Sequence, residues 1–508
     1  MADEKQVTAQ EAPHLEPVHS DVDETHTTTT RPSGWMYKGI KVGKSEIWYA
    51  SPIVQLLMVA MVCFLCPGMF NALSGLGAAG QVDPSAQNDA STALYSTFAV
   101  VAFFSGTIAN MLGVKATLSV GGLGYCIYAA SFLCFNHTQN RGFVVFAGAF
   151  LGVCAGLLWT AQGTIMMSYP PEDKKGRYIS WFWIIFNLGA VIGALVPLGQ
   201  NVNSRDNVAV TDGTYVGFIV LMFLGAVLAL FLCNAGNVIR HDGSKVILMK
   251  NPSWKTEIKG LVETITASPW VVLLFPMFFA SNIFYTYQLN DMNGGHFNIR
   301  TRALNNLLYW TSQIIGAIVF GYALDAGKFR RSVRAKASFI VLFVITFIIW
   351  GGGWAWQKDQ VVREIAEDEN SGYDKLRIDW VDGAPRYIAP MFLFMFYGFY
   401  DAAWQTCIYW YMGALSNSGR KAANLAGFYK GIQSAGAAVF WRLDGLKKPY
   451  NTIFGVTWGL LGAALIFAAP VIWLKIKDTV SLEEDLKFSD ETAEDVTVNT
   501  KQPKEASV

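Results

Sequence analysis

Long apolar stretches with very few charges alternate with short polar segments along most of the chain. An α-helix needs about 20 such residues to cross the hydrocarbon core of a bilayer. Six stretches lie in the first half, at 51–73, 92–114, 116–135, 143–168, 178–199 and 214–235. Six more lie in the second half, at 269–289, 303–324, 337–356, 387–413, 422–441 and 450–474. The pattern predicts an all-α integral membrane protein with twelve transmembrane helices.

The polar segments between these stretches divide the chain into five parts. They are a polar segment 1–50, a six-helix half 51–235, a linker 236–268, a second six-helix half 269–475 and an acidic segment 476–508. The first and last parts contain too few apolar residues for a core, so we expect disordered tails. In the linker, apolar residues from Trp254 to Ile265 recur at helical spacing, which predicts an amphipathic helix on the membrane surface.

The lysines and arginines of the short loops predict the orientation in the bilayer. With the amino terminus in the cytoplasm, most loop cations lie on the inner side, and Arg300 and Arg302 are among the exceptions left outside. Because the number of spans is even, both termini are expected in the cytoplasm. The sequon at Asn136 then lies outside, so close to a span that its glycosylation stays open. The choice between plasma membrane and endomembranes also stays open.

Composition excludes several classes of function. Of the 508 residues, 52% are hydrophobic and 15% are charged, whereas soluble domains carry about 25% charged residues. The net charge is +1 without a concentrated basic run, so nucleic-acid binding is not expected. Cys63 and Cys66 have the spacing of a redox or zinc pair, but they lie inside a predicted span. We therefore expect no enzyme, no cofactor and no metal site.

A short motif recurs after the second and the eighth stretch. Its first copy consists of Gly106, Asn110, Gly113 and Lys115. Its second copy consists of Gly321, Asp325 and Arg330. This internal repeat supports the division into two halves of six spans. The pattern resembles the cytoplasmic loop motif of the major facilitator superfamily, from which the first copy departs by Asn110 in place of an acid.

Two longer segments give a closer resemblance. They are residues 66–77, which read CPGMFNALSGLG, and residues 427–436, which read GFYKGIQSAG. Both resemble the Unc-93-like (ion channel regulatory protein) branch of that superfamily, in its fungal form, and the likeness extends from about residue 35 to 477. The resemblance implies two pseudo-symmetric six-helix halves around a central cavity. It leaves the activity open, because better-known members are described as a potassium-channel regulator or a Toll-like receptor escort.

Two charged residues lie inside the predicted spans. Charges in a bilayer are costly and mark functional sites. Asp401 is expected about 16 Å from the outer end of the tenth span and Lys430 about 12 Å from the inner end of the eleventh. An ion pair between them is therefore allowed, with Gln405 and Gln433 extending the polar face. Asp401 would serve as a proton or cation site, and Lys430 would tune it or bind an anionic group. The alternative is a purely structural salt bridge.

Other positions have open alternatives. Near the end of the seventh span, Gln288 is expected to line the cavity, whereas Tyr285 and Tyr287 are expected in an aromatic belt at the membrane interface. Glycines repeat every four residues at Gly148 and Gly152 in the fourth span. This repeat predicts tight static packing in preference to sliding between helices.

Two hypotheses for the function follow. The first is a secondary transporter of a small, unidentified solute, either proton-coupled through Asp401 or a uniporter, with a cavity that contains Asp401, Gln405, Gln433 and Gln288. The second is a non-transporting regulator or trafficking escort of a membrane-protein partner, a channel or receptor. It predicts a plugged cavity and an apolar lateral surface, with specificity supplied by the tails or by the outer loop 357–386. The two intramembrane charges favour transport. The sequence leaves open the substrate, the direction, the coupling ion and the oligomeric state.

Overall fold

The computed structural model describes residues 33–42, 45–81, 84–169, 175–203, 210–239, 254–368, 370–415 and 419–478. The expectations for residues 1–32 and 479–508, and for the side chain of Asn110, lie outside this part of the chain.

The described chain is almost entirely helical. The helices of the first half are α1 (Pro52–Cys63), α2 (Met69–Gly75), α3 (Ser85–Val101), α4 (Ser105–Thr138), α5 (Arg141–Ser168), α6 (Lys175–Asn201) and α7 (Asp212–Ala229). The linker forms α8 (Trp254–Ala267). The helices of the second half are α9 (Phe275–Phe279), α10 (Ile299–Leu324), α11 (Arg331–Gln357), α12 (Arg363–Ala366), α13 (Ala389–Leu415), α14 (Gly419–Gly445) and α15 (Tyr450–Leu474).

Twelve segments cross the bundle, and two of them are irregular. A π-helical turn, Phe64–Gly68, joins α1 to α2 in the first crossing. In the seventh, a 3-10 helix, Pro269–Leu274, precedes α9 and a π-helix, Thr286–Gly294, follows it. Proline has no backbone N–H and so disrupts a regular α-helix. Pro67 lies inside the first irregular turn, and the second irregular segment begins at Pro269.

Not all twelve segments are equally apolar. Eight of the described helices are long and apolar enough to span a membrane, or nine if α8 and the helical residues after it count as one bent pair. The second, seventh, tenth and eleventh crossings do not pass this test by themselves. These four segments place Tyr95, Asn282, Gln405 and Lys430 in the wall of a central cavity. α3 has only 17 residues, so length as well as composition separates these segments from the other eight.

The boundary between the second and third spans lies close to the predicted position. The second span was expected to end at residue 114, and a turn interrupts it between α3, which ends at Val101, and α4, which begins at Ser105. Within α4 the backbone breaks at Gly113, where φ is +75° and ψ is 159°. A residue with a Cβ is strained in this conformation. The motif glycine thus marks a sharp change of backbone direction, while Lys115 lies just after it.

Residues 33–42 and 45–50, which were expected to belong to a disordered tail, form ordered structure. Strands β1 (Ile40–Val42) and β2 (Ser45–Ile47) pair antiparallel. The side chain of Trp48 is buried, and the amide of Ile239 donates to the Ala50 carbonyl at 3.2 Å. This packing against the chain after α7 provides apolar contacts that the polar composition did not predict. We call the end of the bundle that holds these residues the tail end.

The predicted linker helix is α8, and it lies at the tail end against the start of α14. The side-chain amide of Asn424 donates to the Gly260 carbonyl at 3.0 Å and to Oγ1 of Thr264 at 2.9 Å. These bonds attach the linker to the second half.

At the opposite end, residues 358–388 between α11 and α13 form a folded cap. We call this end the cap end. The guanidinium of Arg300 donates from Nε to Asp379 at 2.9 and 3.1 Å, and a second nitrogen also contacts that carboxylate. The amide of Ile378 donates to the His296 carbonyl at 2.9 Å. Although burial acts in the opposite direction, hydrogen bonds from Arg300 hold the pKa of Asp379 below its usual value. Salt bridges and backbone hydrogen bonds therefore attach the cap to the segment around the start of α10.

Glycines allow very close packing within each half. A Cβ at Gly152 would lie 1.9 Å from Oγ1 of Thr97 and 2.2 Å from the Leu94 carbonyl oxygen, both on α3. A Cβ at Gly148 would lie 2.2 Å from the Ala90 carbonyl oxygen, also on α3. The glycine repeat therefore produces tight packing of α5 on α3.

At the cap end, a buried arginine of the second half contacts the first half. Arg302, at the start of α10, is 1% exposed. Its Nε donates to the Leu76 carbonyl at 2.6 Å, and a terminal nitrogen donates to the Gly77 carbonyl at 2.5 Å. These carbonyls lie just beyond α2, where the helix leaves its last carbonyls without internal partners. The arginine that was expected in an outer loop thus closes the contact between the halves.

Two amides reinforce this contact. The side chain of Asn306 donates to the Ala72 carbonyl at 2.6 Å, and that of Asn293 donates to the Gly75 carbonyl at 3.0 Å. Both acceptors lie on α2. We call the bonds from Arg302, Asn306 and Asn293 to the first half the cap-end gate.

Nearer the tail end, aromatic rings form contacts between the halves. The rings of Phe103 and Phe428 lie 6.5 Å apart, and those of Trp183 and Tyr409 lie 5.9 Å apart. Such contacts carry no directional hydrogen bond between the paired rings. The two ends of the interface therefore differ in chemistry.

Candidate functional site

A cavity of about 100 Å³ lies between the two halves, on the tail side of the cap-end gate. Its wall combines aromatic rings with amides and one ammonium group. Aromatic residues of the first half include Tyr95, Trp159 and Trp183. The amides are Asn71, Asn282, Gln313, Gln405 and Gln433. A volume of this size holds several water molecules, and the mixture of rings and converging polar groups is typical of small-molecule sites.

Asp401 lies near the middle of α13 and is fully buried. Its Oδ2 accepts hydrogen bonds from the hydroxyl of Tyr285 at 2.7 Å, from the hydroxyl of Tyr309 at 3.3 Å and from the amide of Gln313. Its Oδ1 accepts from Nε2 of Gln405 at 2.7 Å. All four donors are uncharged. A buried carboxylate with neutral donors only is well placed to exchange a proton, because no adjacent cation fixes its charge.

Asp401 lies one layer behind the cavity. Three of its donors, Tyr285, Gln313 and Gln405, are part of the cavity wall, whereas Asp401 is not. The carboxyl is therefore separated from the cavity by this layer of hydroxyl and amide groups.

Lys430 lies in the cavity wall on α14, inside a cage of aromatic rings. Its Nζ lies 5.1 Å from the ring centre of Tyr429, 5.2 Å from that of Trp159 and 5.6 Å from that of Tyr409. It also donates to Oε1 of Gln433 at 3.1 Å. Cation–π contacts of this kind stabilise an ammonium group within about 6 Å of a ring. The cage holds the charge at the cavity without a carboxylate.

The expected ion pair between Asp401 and Lys430 is not formed. Throughout the described residues, no lysine or arginine lies within ion-pair distance of Asp401. Polar groups connect the two residues instead: the hydroxyl of Tyr429 lies 3.5 Å from Oε1 of Gln405 and 3.1 Å from Nε2 of Gln433. Asp401 and Lys430 lie at similar depths in neighbouring helices, which permitted an ion pair. The rotation of each helix about its axis, however, directs the two side chains to different neighbours. A structural salt bridge is therefore not the role of these residues.

The remaining expectations for the seventh crossing need correction. Gln288 is buried outside the cavity wall, where its Oε1 shares the single hydroxyl proton of Tyr309, at 2.8 Å, with Asp401. Tyr285 binds Asp401, and Tyr287 is fully buried and donates to Oε1 of Gln357 at 2.8 Å. Neither tyrosine lies in an interfacial belt. The π-helix of this segment rotates its side chains away from the α-helical phase that the expectation assumed.

The second copy of the loop motif lies at the tail end, away from the cavity. Gly321 lies in the last turn of α10, whose end is capped by Asp325, and the Asp325 amide donates to the Gly321 carbonyl at 3.1 Å. Asp325 and Arg330 are exposed. In the described part of the chain, no group of three or more His, Cys, Asp or Glu side chains is arranged to hold a metal ion.

Comparison with known proteins agrees with this architecture. A sequence model of the Major Facilitator Superfamily matches residues 53–441. An UNC93-like protein of Schizosaccharomyces pombe is 50% identical over 463 residues, which cover 91% of this chain and 90% of that protein. The chain belongs to the UNC93-like branch of the major facilitator superfamily. UNC93-like protein 1 of Arabidopsis thaliana is 39% identical, and the match covers 90% of this chain and 97% of the plant protein.

Solved structures support the same fold for this UNC93-like protein. The xylose transporter of E. coli, in a partially occluded inward-open conformation, has a TM-score of 0.59 at 14% identity and covers 85% of this chain and 99% of its own. At this identity the likeness shows the fold and leaves the substrate open. Membership of this superfamily also supports the expectation that the chain is not an enzyme.

Proposed function

We propose that this UNC93-like protein is a secondary transporter that moves a small polar solute by alternating access. The observation that carries the proposal is the cavity between the halves, with a caged ammonium in its wall and a buried carboxyl behind it. A regulator or escort would not need an open cavity lined by converging polar groups. The regulator hypothesis predicts a plugged interior, which the cavity disfavours.

Charge explains how Asp401 would couple a proton to the solute. With Asp401 ionised, its charge and that of Lys430 sum to zero; with Asp401 protonated, the pair carries +1. A solute with an anionic group would then bind more tightly to the protonated protein, and by linkage the bound solute would retain the proton. We infer a small anion, such as a carboxylate, as the solute and protons as the coupling ion.

The same proposal assigns the sides of the membrane. Loop cations are more frequent at the tail end, so the tail end would face the cytoplasm with both termini, and the cap would face the outside or an organelle lumen. The closed cap-end gate then corresponds to a state from which the solute exchanges with the cytoplasm.

Flux in reconstituted vesicles tests the proposal. Vesicles loaded with a pH-sensitive dye would be exposed to a panel of radiolabelled monocarboxylates, dicarboxylates and, as neutral probes, D-xylose and L-fucose. We expect uptake of at least one carboxylate, with acidification inside that requires the same solute. Asp401→Asn should abolish proton movement, and Lys430→Gln should raise the KM for the anion.

Asp359→Asn is the matched control, because Asp359 is exposed at the end of α11 and loses the same charge. It should transport like the unmodified protein. Absence of flux over the whole panel, with folded protein and a membrane-protein partner recovered by cross-linking, would refute transport and favour the regulator. Transport of a neutral sugar without proton movement would refute the coupling through Asp401.

A further inference from the structure

A second group of buried ionisable side chains lies at the cap end, apart from the cavity. The guanidinium of Arg363, in the cap, lies 2.6 Å from Oδ1 of Asp291 and 2.5 Å from Oδ1 of Asp444. These side chains are 3%, 1% and 0% exposed. Both carboxyl groups therefore contact the same guanidinium. We call these three residues the cluster, and Asp291 and Asp444 the carboxyl pair.

The charges of this cluster do not balance without a proton. Two carboxylates and one guanidinium sum to −1 in a buried position. Glu367 also contacts Arg363, at 3.3 Å, but its negative charge is matched by Lys447 at 3.1 Å, so this second pair leaves the sum at −1. Two carboxyls that share one buried site do not both ionise readily.

One atom of the cluster marks where the proton can sit. Oδ2 of Asp291 is buried and has no hydrogen-bond partner among the described residues. A proton on this oxygen, or shared with Asp444, would convert two repelling carboxyls into a donor and an acceptor. The same proton would bring the net charge of the cluster to zero.

The cluster is connected directly to the contact between the halves. Asn290 lies beside Asp291 in the chain, and its side-chain nitrogen donates both to Asp444 and to Asn88 of α3, each at 2.9 Å. Its Oδ1 accepts from the amide of Ala78 at 2.9 Å. One amide side chain thus joins the carboxyl pair to two segments of the first half. Separation of the halves would break these bonds and admit water to Asp444.

We propose that Asp291 and Asp444 form a second proton-binding site, which is occupied when the cap end is closed and loses its proton when the cap end opens. Binding forms one O–H bond on the carboxyl pair, and release transfers that proton to water at the cap end. The proposal rests on the alternating-access movement of the proposed function, but it requires neither a solute nor Asp401. It makes closure of the cap end favourable at low pH, because only the closed state buries the pair away from water.

Other charged groups face the cluster and enter any pH profile. They are Glu367 of the cap, Lys447 after α14 and Tyr450 of α15. His296, whose ring lies 5.4 Å from that of Tyr450, has its pKa lowered to about 3 by burial and by Arg377. It therefore stays neutral over the pH range of interest.

Distance measurements between spin labels test the proposal without any substrate. Cysteines at Gly142, at the start of α5, and Lys358, at the end of α11, would place one label on each half at the cap end; both positions are exposed. Cys134, which is partly exposed, would be changed to Ser. The protein would also carry Asp401→Asn, to remove that carboxyl, and would be measured in lipid nanodiscs from pH 5 to pH 9.

We expect the ratio of open to closed protein to rise with pH by up to about tenfold per unit, the limit for one proton. Asp444→Asn should stay closed at every pH, because its amide oxygen still accepts from Asn290 and no proton is needed. The matched control Asp89→Asn removes a partly exposed carboxylate that lies outside the cluster and 3.8 Å from Arg442 across the same interface, and it should retain the pH dependence.

Two results would overturn the proposal. One is a distance distribution that does not change with pH, in a protein that opens when Arg302 is replaced by Met. The other is an unchanged pH dependence in both Asp444→Asn and Asp291→Asn. Neither result bears on whether the protein transports a solute, and failure to find a solute would leave this test intact.

Discussion

Replacement of Arg302 by Met should open the cap end. The change removes both hydrogen bonds from the guanidinium to the Leu76 and Gly77 carbonyls while it retains most of the side-chain volume. Hydrogen bonds that involve a charged group contribute about 1.5–3 kcal/mol each. If both are lost, the closed state is destabilised by about 3–6 kcal/mol relative to an open state in which water binds these carbonyls. The ratio of open to closed protein should then rise by roughly 10²–10⁴, since 1.4 kcal/mol corresponds to tenfold.

The spin-label pair at Gly142 and Lys358 measures this change as a longer distance component that becomes dominant. Arg141→Met is the control, because Arg141 is an exposed arginine at the same end that pairs with Asp89 at 2.7 Å; exposed ion pairs contribute at most about 1 kcal/mol. Arg302→Lys, which keeps the charge but has fewer donors, should give an intermediate distribution. An unaltered closed distance in folded Arg302→Met would refute the role of this residue as a gate.

Two further predictions concern packing and acid stability. Gly152→Ala should lower the melting temperature markedly, because its Cβ would lie 2.2 Å from the backbone oxygen of Leu94. Gly163→Ala on the same helix places its new Cβ with nothing within 4 Å, so it should be neutral or stabilising by up to about 1 kcal/mol. Equal effects of the two changes would contradict the close packing at Gly152. The depressed pKa of Asp379 contributes stability above its unfolded pKa of about 3.9, and this contribution is lost as the pH falls through the folded pKa. The cap amides should therefore stay protected from hydrogen exchange between pH 8 and pH 5 and lose protection below about pH 4. Asp379→Asn should not show this pH-dependent loss, and the same loss in that variant would contradict the role of Asp379.

The sequence predicted the twelve crossings because most of them are long apolar stretches, and it located Asp401 and Lys430 because charges are rare in such stretches. It did not predict their neighbours. Tyr309 lies in a span with many polar residues, and nothing in its local pattern indicates a bond to Asp401 on another helix. Helix rotation, which decides these contacts, depends on packing between helices and not on hydropathy.

The cap-end gate was hidden for a related reason. Arg302 follows a short polar segment, so its charge was counted as a loop cation, whereas it is buried against the carbonyls beyond α2. Burial of an arginine requires acceptors from elsewhere in the chain. Those acceptors are backbone carbonyls about 225 residues away, and backbone atoms leave no signal in a sequence pattern.

The two kinds of contact in this bundle suggest which parts move. Within the first half, glycines bring α5 against the backbone of α3, and in the second half a Cβ at Gly398 would lie 2.4 Å from the Tyr309 carbonyl oxygen. Contacts this close cannot slide without a clash, so each half should move as a rigid unit. Between the halves, the bonds of the cap-end gate are directional and end on carbonyls near the end of α2, where water can replace them. Movement is therefore expected at the interface, where Arg302 and Asn290 act, and not within either half.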